Sequence, residues 1–408
     1  MTRRPFDTLN PFVAAMQPSA TLAISARAAA LQRGGADVIS LSAGEPDFPT
    51  PAPIVEAAHQ ALRDGLFQYT ANAGTPELRA AIADKLTRVN GLQIGGPDVA
   101  PADIVCSNGA KQSIAQTILA ACGPGDEVIV QAPYWVSYPE QVRLAGATPV
   151  IVETTAADGY ILRPEALDAA LTERTRAVVL NTPSNPTGAV MPRGAMEALA
   201  AVLRQHEHVL VVSDEIYEDV IFDADHVSFG TMEGMADRTV TVNGFSKGYA
   251  MTGWRLGYLA GPPWLVSAVD TLQSQLTSGP SSITQAAGVA ALAMDRAPIR
   301  AMVAAFRERR DAVLARLAAI DGVTCPTPQG AFYLFPDVSG LYGRATPGGE
   351  RIDDSLGLCR YLLDACGVAL VPGEAFGDVR GVRLSYATDL DTLMRAVDRI
   401  EAGVAALV

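Results

Sequence analysis

Amino groups that could do covalent chemistry are few, because the 408-residue sequence contains only three lysines, Lys85, Lys111 and Lys247. Lys85 lies in a helix-like stretch with a polar face, which is the usual setting of a lysine. Lys247 instead follows a strand-like run and lies among small and aromatic residues. A desolvated lysine loses proton affinity and becomes an amine nucleophile for Schiff-base chemistry. From this segment alone, a nucleophilic Lys247 and an ordinary surface lysine are equally well supported.

Two acidic residues, Asp214 and Glu215, end another apolar run. A carboxylate in that position is unfavourable without a partner. The partner could be a helix N-terminus or an ion pair, which is the commoner arrangement, or it could be the protonated ring nitrogen of a ligand. Tyr217 could donate its phenolic hydrogen in the same pocket.

Further motifs carry groups suited to binding. Gly109-Ala110-Lys111 precedes a helix, where backbone N–H groups and the helix dipole could bind a phosphate. Trp135 could stack on a planar ring, and Arg383 could bind a carboxylate through two hydrogen bonds. Residues 181–188 have the composition of a turn. Taken singly, each has an ordinary structural interpretation as well: a chance glycine, core packing, an ion pair or a loop.

The elements that must position these residues alternate between short apolar runs and helical stretches. The β-branched runs lie at 127–131, 148–153, 176–181, 208–213 and 238–244. Strands that are apolar on both faces and separated by helices predict a parallel sheet covered on both sides. Active sites in such sheets lie at the carboxyl ends of the strands, where the polar motifs at 181–188, 213–217 and 243–255 follow. A long amphipathic helix at 298–319 begins a different pattern, so we place a domain boundary near 297.

Composition excludes several classes of function. The net charge of −13 disfavours a nucleic acid or an anionic membrane as partner. Five cysteines without a C-x-x-C pair indicate reduced thiols in a cytoplasmic protein. Residues 271–294 carry no charge but are rich in Ser, Thr, Gln and Gly, and we interpret them as buried protein and not as a membrane span. The four histidines lie outside the polar motifs, so no metal site is expected.

Taken together, five segments resemble the class I aminotransferases, the pyridoxal-phosphate enzymes of fold type I. They are APYWVSYPE (132–140), NTPSNPTG (181–188), SDEIYE (213–218), SKGYAMTGWRLGY (246–258) and VRLSYA (382–387), in the expected order and spacing. Three further segments resemble the bacterial subgroup of aspartate and prephenate aminotransferases. They are MQPSAT (16–21), LSAGEPDF (41–48) and NGAKQ (108–112).

This resemblance implies an α/β fold in two domains. The large cofactor-binding domain would span 49–297, with a mostly parallel central sheet covered by helices. A smaller α/β domain would span 298–408, and residues 1–48 would form an N-terminal arm and part of that small domain. The resemblance also implies a homodimer with shared active sites.

It further implies roles for single residues toward pyridoxal 5′-phosphate. Lys247 would hold the cofactor as a Schiff base and later move the substrate proton, and Asp214 would pair with the pyridine nitrogen. Asn185 and Tyr217 would bind the phenolic oxygen of the ring, and Trp135 would stack on it. The residues around the phosphate would be Gly109, Ala110, Lys111, Ser246, Arg255 and, from the neighbouring subunit, Tyr69.

The substrate would be bound at two ends. Its α-carboxylate would meet Arg383, Asn185 and the backbone of Gly44. The distal carboxylate is associated in this subgroup with Ser19, Thr21 and Lys111, so Lys111 could serve the phosphate or the substrate. Alternatively, the two hydroxyls only cap a helix.

The implied reaction moves an amino group from an L-amino acid, foremost aspartate, to a 2-oxo acid, foremost 2-oxoglutarate, in a ping-pong cycle, with prephenate as a further acceptor. A β-lyase or an aromatic or alanine aminotransferase would share Lys247 and Asp214, so those residues leave these alternatives open. A non-enzymatic ligand sensor is disfavoured by the acidic chain, and a dehydrogenase by the lack of a G-x-G-x-x-G motif. One departure is Gly248, which stands where the family usually has Ala, Ser or Thr.

Overall fold

The computed structural model describes residues 9–408, so the first eight residues of the predicted N-terminal arm lie outside the described part. Its helices are α1 (Pro11–Ala14), α2 (Ala20–Arg33), α3 (Ala52–Arg63), α4 (Pro76–Arg88), α5 (Ala110–Ala121), α6 (Ser137–Leu144), α7 (Pro164–Ala170), α8 (Arg193–Leu203), α9 (Pro263–Leu276), α10 (Ser282–Ala293), α11 (Ala297–Leu317), α12 (Ser355–Cys366) and α13 (Leu390–Ala405). The strands are β1 (Ile39–Ser40), β2 (Ile104–Ser107), β3 (Glu127–Ala132), β4 (Thr148–Glu153), β5 (Thr175–Asn181), β6 (Leu210–Asp214), β7 (Thr239–Gly244), β8 (Gly257–Ala260), β9 (Tyr333–Leu334), β10 (Val368–Ala369), β11 (Val371–Pro372) and β12 (Val382–Ser385).

A seven-stranded sheet in the order β2-β8-β7-β6-β5-β3-β4 forms the centre of the fold. Strands β3 to β7 pair in parallel, and β8 runs antiparallel to both of its neighbours. This is the mostly parallel α/β sheet that the alternating pattern predicts. The five predicted strands correspond to β3 to β7, whereas β2 and β8 were missed because each has only four residues.

Both faces of the sheet are buried, which explains why its strands are continuously apolar. Val130 of β3 and Val212 of β6 pack in the same cluster as Ile114 of α5. Their chain neighbours Ile129 and Val211 point the other way and pack in a second cluster that includes Leu199 of α8. Successive side chains of a strand alternate between faces, so a helical layer on each side buries every residue.

The C-terminal part contains α11 to α13 and a small antiparallel sheet in the order β11-β12-β9. Strand β1 pairs in parallel with β10, and so joins residues before 48 to this part of the chain. That pairing agrees with the expectation that 1–48 supplies part of the small domain; the division at 48 and 297 stays a prediction. Within residues 9–408, no helix is both long and apolar enough to cross a membrane.

The uncharged stretch at 271–294 was predicted to be buried, but part of it is exposed. Residues 274–278, at the end of α9 and just after it, are exposed in the single chain, and Leu276 keeps 57% of its surface. The remainder, mainly α10, is largely covered. An uncharged, exposed helix end is therefore left on the surface of one chain.

Candidate active site

A cavity of about 580 Å³ lies where β5, β6 and β7 end. The predicted site residues that line it are Ser19, Thr21, Gly44, Ala110, Lys111, Trp135, Asn185, Asp214, Tyr217, Ser246, Lys247, Arg255 and Arg383. Gly109 adjoins this set as the residue before α5. Tyr69 does not line the cavity and is 98% exposed. Residues far apart in sequence are thus brought together as the motifs predicted.

Lys247 follows β7, and its Nζ donates a hydrogen bond to the backbone carbonyl of Gly44. The amine lies 5.8 Å from the ring centres of both Tyr217 and Phe332. Burial lowers the pKa of Lys247 to about 8, against the opposing charge of Glu45. A lysine with this pKa is partly neutral near pH 7, which is what a nucleophilic amine requires.

Asp214 ends β6 and is almost fully buried. Its Oδ2 accepts a hydrogen bond from the Tyr138 hydroxyl at 2.6 Å, and its Oδ1 accepts one from the Ile216 amide at 3.2 Å. Burial raises the pKa of Asp214 to about 6, although both hydrogen bonds oppose the rise. A carboxylate in this setting is stabilised by a cationic ligand group, as a protonated ring nitrogen would be.

Arg383 lies on β12 and is 2% exposed. Its Nη1 donates to Asn185 Oδ1 at 3.1 Å, and its Nη2 donates to the Ser42 carbonyl at 2.7 Å. The guanidinium lies 4.6 Å from the ring centre of Tyr333 and 5.0 Å from that of Phe376. Because both of its hydrogen-bond acceptors are uncharged, a bound carboxylate would be the natural counter-charge.

Tyr217 and Tyr333 form a buried pair of phenols whose oxygens are 2.9 Å apart. Tyr333 thus contacts a predicted cofactor ligand and, through its ring face, the guanidinium of Arg383. Tyr333 therefore connects the predicted cofactor ligand Tyr217 with Arg383, the predicted ligand of the substrate α-carboxylate.

The start of α5 has the features of an anion-binding site. Gly109 has a φ of 89°, and a Cβ there would lie 2.6 Å from Nη2 of Arg255. Arg255 also has a positive φ, 56°, and is held by the carbonyls of Thr252 at 2.8 Å and Asn108 at 3.2 Å. Because no side chain caps α5, its first amides, the guanidinium and the Ser246 hydroxyl can bind a phosphate.

Lys111 lies in the first turn of α5 with its Nζ 4.9 Å from the ring centre of Trp135. Its pKa is lowered by burial and by the charge of Arg255. Ser19 accepts a hydrogen bond of 3.5 Å from the Leu22 amide as the N-cap of α2. Its hydroxyl also lies 2.9 Å from that of Thr21, and both residues line the cavity. Ser19 can therefore cap α2 and still line the cavity, so the two interpretations of this hydroxyl do not exclude each other.

These residues fit pyridoxal phosphate by their chemistry. The Lys247 amine can react with the aldehyde of the cofactor, and the buried Asp214 carboxylate can pair with its ring nitrogen. The Trp135 indole can stack on the flat ring. The phosphate can bind at the start of α5, around Gly109 and Arg255.

Sequence reasoning missed Tyr138 and Tyr333. Tyr138 lies inside the quoted motif 132–140, but its bond to Asp214 spans 76 positions. Tyr333 lies in a stretch that is apolar throughout, where a tyrosine resembles core packing. The only available signal was a phenol on a segment adjoining the site.

One interpretation is wrong. Lys85 is not a surface lysine, because its side chain is 13% exposed and pairs with Glu218, whose side chain is 9% exposed. His226 lies outside the polar motifs in the sequence, but the fold brings its Nε2 to 2.9 Å from Oε2 of Glu215, the neighbour of Asp214. Glu218 also accepts a hydrogen bond from Asn90 at 2.8 Å. The ligand atoms of Glu215, Glu218 and His226 lie within 4.8 Å of one another, but the Lys85 ammonium already bonds to Glu218.

Comparison with known proteins gives consistent results. The family described as "Aminotransferase class I and II" matches residues 36–400. A bifunctional aspartate aminotransferase and glutamate/aspartate-prephenate aminotransferase of Petunia hybrida is 53% identical, over 97% of this chain and 82% of its own. An aspartate/prephenate aminotransferase of Cereibacter sphaeroides is 46% identical, over 98% of this chain and 99% of its own.

Solved structures agree. The aspartate aminotransferase from Rhizobium meliloti superposes with a TM-score of 0.94 at 44% identity, covering 98% of this chain and 100% of the other. The aspartate aminotransferase from Thermus thermophilus with maleate gives 0.90 at 43% identity, over 97% and 99%. The chain therefore belongs to the class I and II aminotransferases and is a pyridoxal-phosphate-dependent transaminase.

Proposed function

We propose that the enzyme transfers an amino group between L-aspartate and 2-oxoglutarate, with prephenate as a further acceptor. The observation that carries this proposal is that the cavity has two separate cations for a substrate, Arg383 and Lys111. A dicarboxylic substrate would meet a positive group at each end. The relatives named for aspartate and prephenate support the same choice.

The α-carboxylate binds Arg383 in this proposal. Asn185 holds Nη1 of the guanidinium and the Ser42 carbonyl holds Nη2, so the arginine is fixed before the substrate arrives. A preorganised cation loses little side-chain entropy on binding. The carboxylate would therefore orient the substrate's Cα–H bond toward the amine of Lys247.

The distal carboxylate binds Lys111, assisted by the hydroxyls of Ser19 and Thr21. The Lys111 ammonium lies over the indole of Trp135, which fixes it beside the predicted ring-stacking position. Charge-assisted hydrogen bonds from an ammonium and two hydroxyls suit a carboxylate.

Pyridoxal phosphate, when bound, supplies the electron sink for the charge that remains on the substrate after its proton leaves. Lys247 holds the cofactor through Nζ and, once free, takes the proton from the substrate's Cα as general base and returns it as general acid. Asp214 keeps the ring nitrogen protonated, and the hydroxyl of Tyr217 and the amide of Asn185 bind the phenolic oxygen. The backbone around Gly109, with Ser246 and Arg255, holds the phosphate.

We also propose a homodimer with shared active sites, in which Tyr69 reaches the phosphate of the neighbouring subunit. Supporting this, Tyr69 is 98% and Phe67 is 66% exposed, and Leu276 is 57% exposed at the end of α9. Exposed aromatic and aliphatic side chains of this size favour an interface. All five cysteines are unbonded, which supports a cytoplasmic location.

The test of substrate choice is a panel of donors (aspartate, glutamate, alanine, phenylalanine) against 2-oxoglutarate, oxaloacetate and prephenate, with wild type and Lys111→Ala. Losing a hydrogen bond to a charged group costs about 1.5–3 kcal/mol. Lys111→Ala should therefore lower kcat/KM for aspartate by at least about tenfold, and that for alanine or phenylalanine much less. An equal loss for every donor would assign Lys111 to the cofactor and remove the main support for a dicarboxylic substrate. In a separate assay with an amino acid that carries a leaving group on Cβ, such as S-methylcysteine, release of the thiol, ammonia and pyruvate without an acceptor would instead indicate a β-lyase.

A further inference from the structure

Gly248, the residue after Lys247, is buried and has a φ outside the left-handed region. Backbone conformation therefore does not demand a glycine here, but space does. A Cβ at position 248 would lie 2.3 Å from Oδ2 and 2.6 Å from Cβ of Asp219. Because the Asp219 Cβ is attached to the backbone, that clash could not be relieved by rotating the carboxylate alone. Asp219 occupies the space that a larger residue at 248 would need.

Asp219 is itself held in place. Its carboxylate pairs with Arg296, the residue that precedes α11. Nη1 of Arg296 donates to the Tyr249 hydroxyl at 2.8 Å, and its guanidinium lies 5.4 Å from the centre of the Tyr249 ring. Tyr249 is 4% exposed and lies two residues after Lys247. The bridge Asp219–Arg296–Tyr249 thus begins beside Gly248 and returns to the next residue of the same turn.

The opposite side of the turn is also fixed. The Thr50 hydroxyl donates to the Ala250 carbonyl at 2.7 Å and accepts from Nε1 of Trp254 at 3.0 Å. Ala250 has a φ of 50°, so this turn is held in a conformation that a non-glycine residue rarely adopts. Such a conformation persists only when contacts on several sides determine it.

We propose that Asp219 is a positioning residue for Lys247. Its carboxylate fills the space beside Gly248 and, through Arg296 and Tyr249, fixes the backbone that carries the reactive amine. Asp219 does not line the cavity, so it acts on the place of Nζ and not on the cofactor directly. The inference concerns cofactor attachment and does not depend on which amino acid is the donor.

The experiment measures the affinity of the apoenzyme for pyridoxal phosphate by its visible absorption in Gly248→Ala, Asp219→Gly and the double variant. Gly248→Ala should weaken binding by about tenfold or more, because small displacements of a reacting group have large effects. Asp219→Gly should weaken it about three- to tenfold, and the double variant should be no worse than Asp219→Gly alone, since loss of both the carboxylate and the Cβ of Asp219 leaves room for the added methyl. The matched control is Gly194→Ala, where a Cβ meets nothing within 4 Å and binding should not change.

Three results would overturn the proposal. One is wild-type affinity in Gly248→Ala. Another is a double variant whose loss equals the product of the single losses. The third is a lower melting temperature of the apoenzyme with unchanged cofactor affinity, which would make Asp219 merely structural. If Gly248→Ala does not fold, Arg296→Met decides, because it breaks the bridge without adding a clash and should weaken binding as much as Asp219→Gly does. Wild-type affinity in Arg296→Met would refute the bridge.

Discussion

Replacing Tyr138 by phenylalanine should change the ionisation of Asp214 without altering a residue predicted to touch the cofactor. The Tyr138 hydroxyl donates to Oδ2 of Asp214 at 2.6 Å, and both side chains are buried. Among the groups that lower the pKa of Asp214, this hydrogen bond is the largest, and burial outweighs it to give a pKa of about 6. A hydrogen bond to a charged group contributes about 1.5–3 kcal/mol. At about 1.4 kcal/mol per pKa unit, its loss should raise that pKa by about one to two units.

The consequence can be measured in cofactor binding. A carboxyl group is protonated below its pKa, so the apoenzyme loses its charge partner for the ring nitrogen as the pH falls through the pKa of Asp214. The affinity for pyridoxal phosphate should therefore decline below about pH 6 in the wild type, and about one to two pH units higher in Tyr138→Phe. Near pH 7 the variant should bind about two- to tenfold more weakly, because the ionised fraction of Asp214 falls by about that factor when its pKa rises by one to two units. Absorption titrations of the apoenzyme between about pH 5 and 9 would give both midpoints.

The matched control is Tyr160→Phe. Tyr160 is also buried, but its hydroxyl donates to the neutral carbonyl of Phe335 at 3.2 Å, and it does not line the cavity. It should leave the pH midpoint of cofactor binding unchanged. An unshifted midpoint in Tyr138→Phe, or an equal shift in Tyr160→Phe, would show that the Tyr138 hydrogen bond does not set the ionisation of Asp214.

Three other substitutions test separate parts of the structure. Lys247→Ala should abolish transamination and the visible absorption of the bound cofactor while the apoprotein still unfolds cooperatively; a borohydride-reducible imine in the variant would contradict the assignment. Mixed dimers of Tyr69→Phe and Lys247→Ala subunits should recover some native-like sites, whereas a fully active monomer at high dilution would rule out shared sites. Lys85→Met leaves Glu218 buried without its cation and should lower the free energy of unfolding in urea by about 3–5 kcal/mol; adding Glu218→Gln should restore much of that loss, and an unchanged unfolding midpoint in Lys85→Met would show that the pair contributes nothing.

Much of the fold and site could be predicted because the decisive residues lie in local patterns. Strands β3 to β7 are apolar on both faces, and Lys247, Asp214 and Asn185 follow strand ends, where polar groups are conspicuous. The apolar strands predict the parallel sheet. The polar residues at the strand ends are expected to meet at one edge of that sheet.

The missing parts depend on contacts that no local pattern shows. Tyr138 and Tyr333 are chemically visible in the sequence, but only the packing aims their hydroxyls at Asp214 and Tyr217. The sequence predicts Lys85 to be a surface residue because helix periodicity shows only that the position is polar. It does not show that Glu218, 133 positions later, lies beside it. Gly248 was recognised as unusual, yet the cause lies 29 residues earlier, in Asp219.

The shortage of lysine has a practical consequence for covalent modification. The ammonium of Lys85 is enclosed with Glu218, and Lys247 would be occupied by the cofactor in the proposed mechanism, so Lys111 is the exposed lysine that remains. Arginine supplies the other 28 basic side chains and does not react with acylating reagents at neutral pH. Among the lysine side chains, an amine-directed label would therefore modify mainly Lys111, which lines the cavity, and would there interfere with the proposed substrate binding. Attachment to a dye or a resin through lysine would block the enzyme, and coupling through an introduced surface cysteine would spare it.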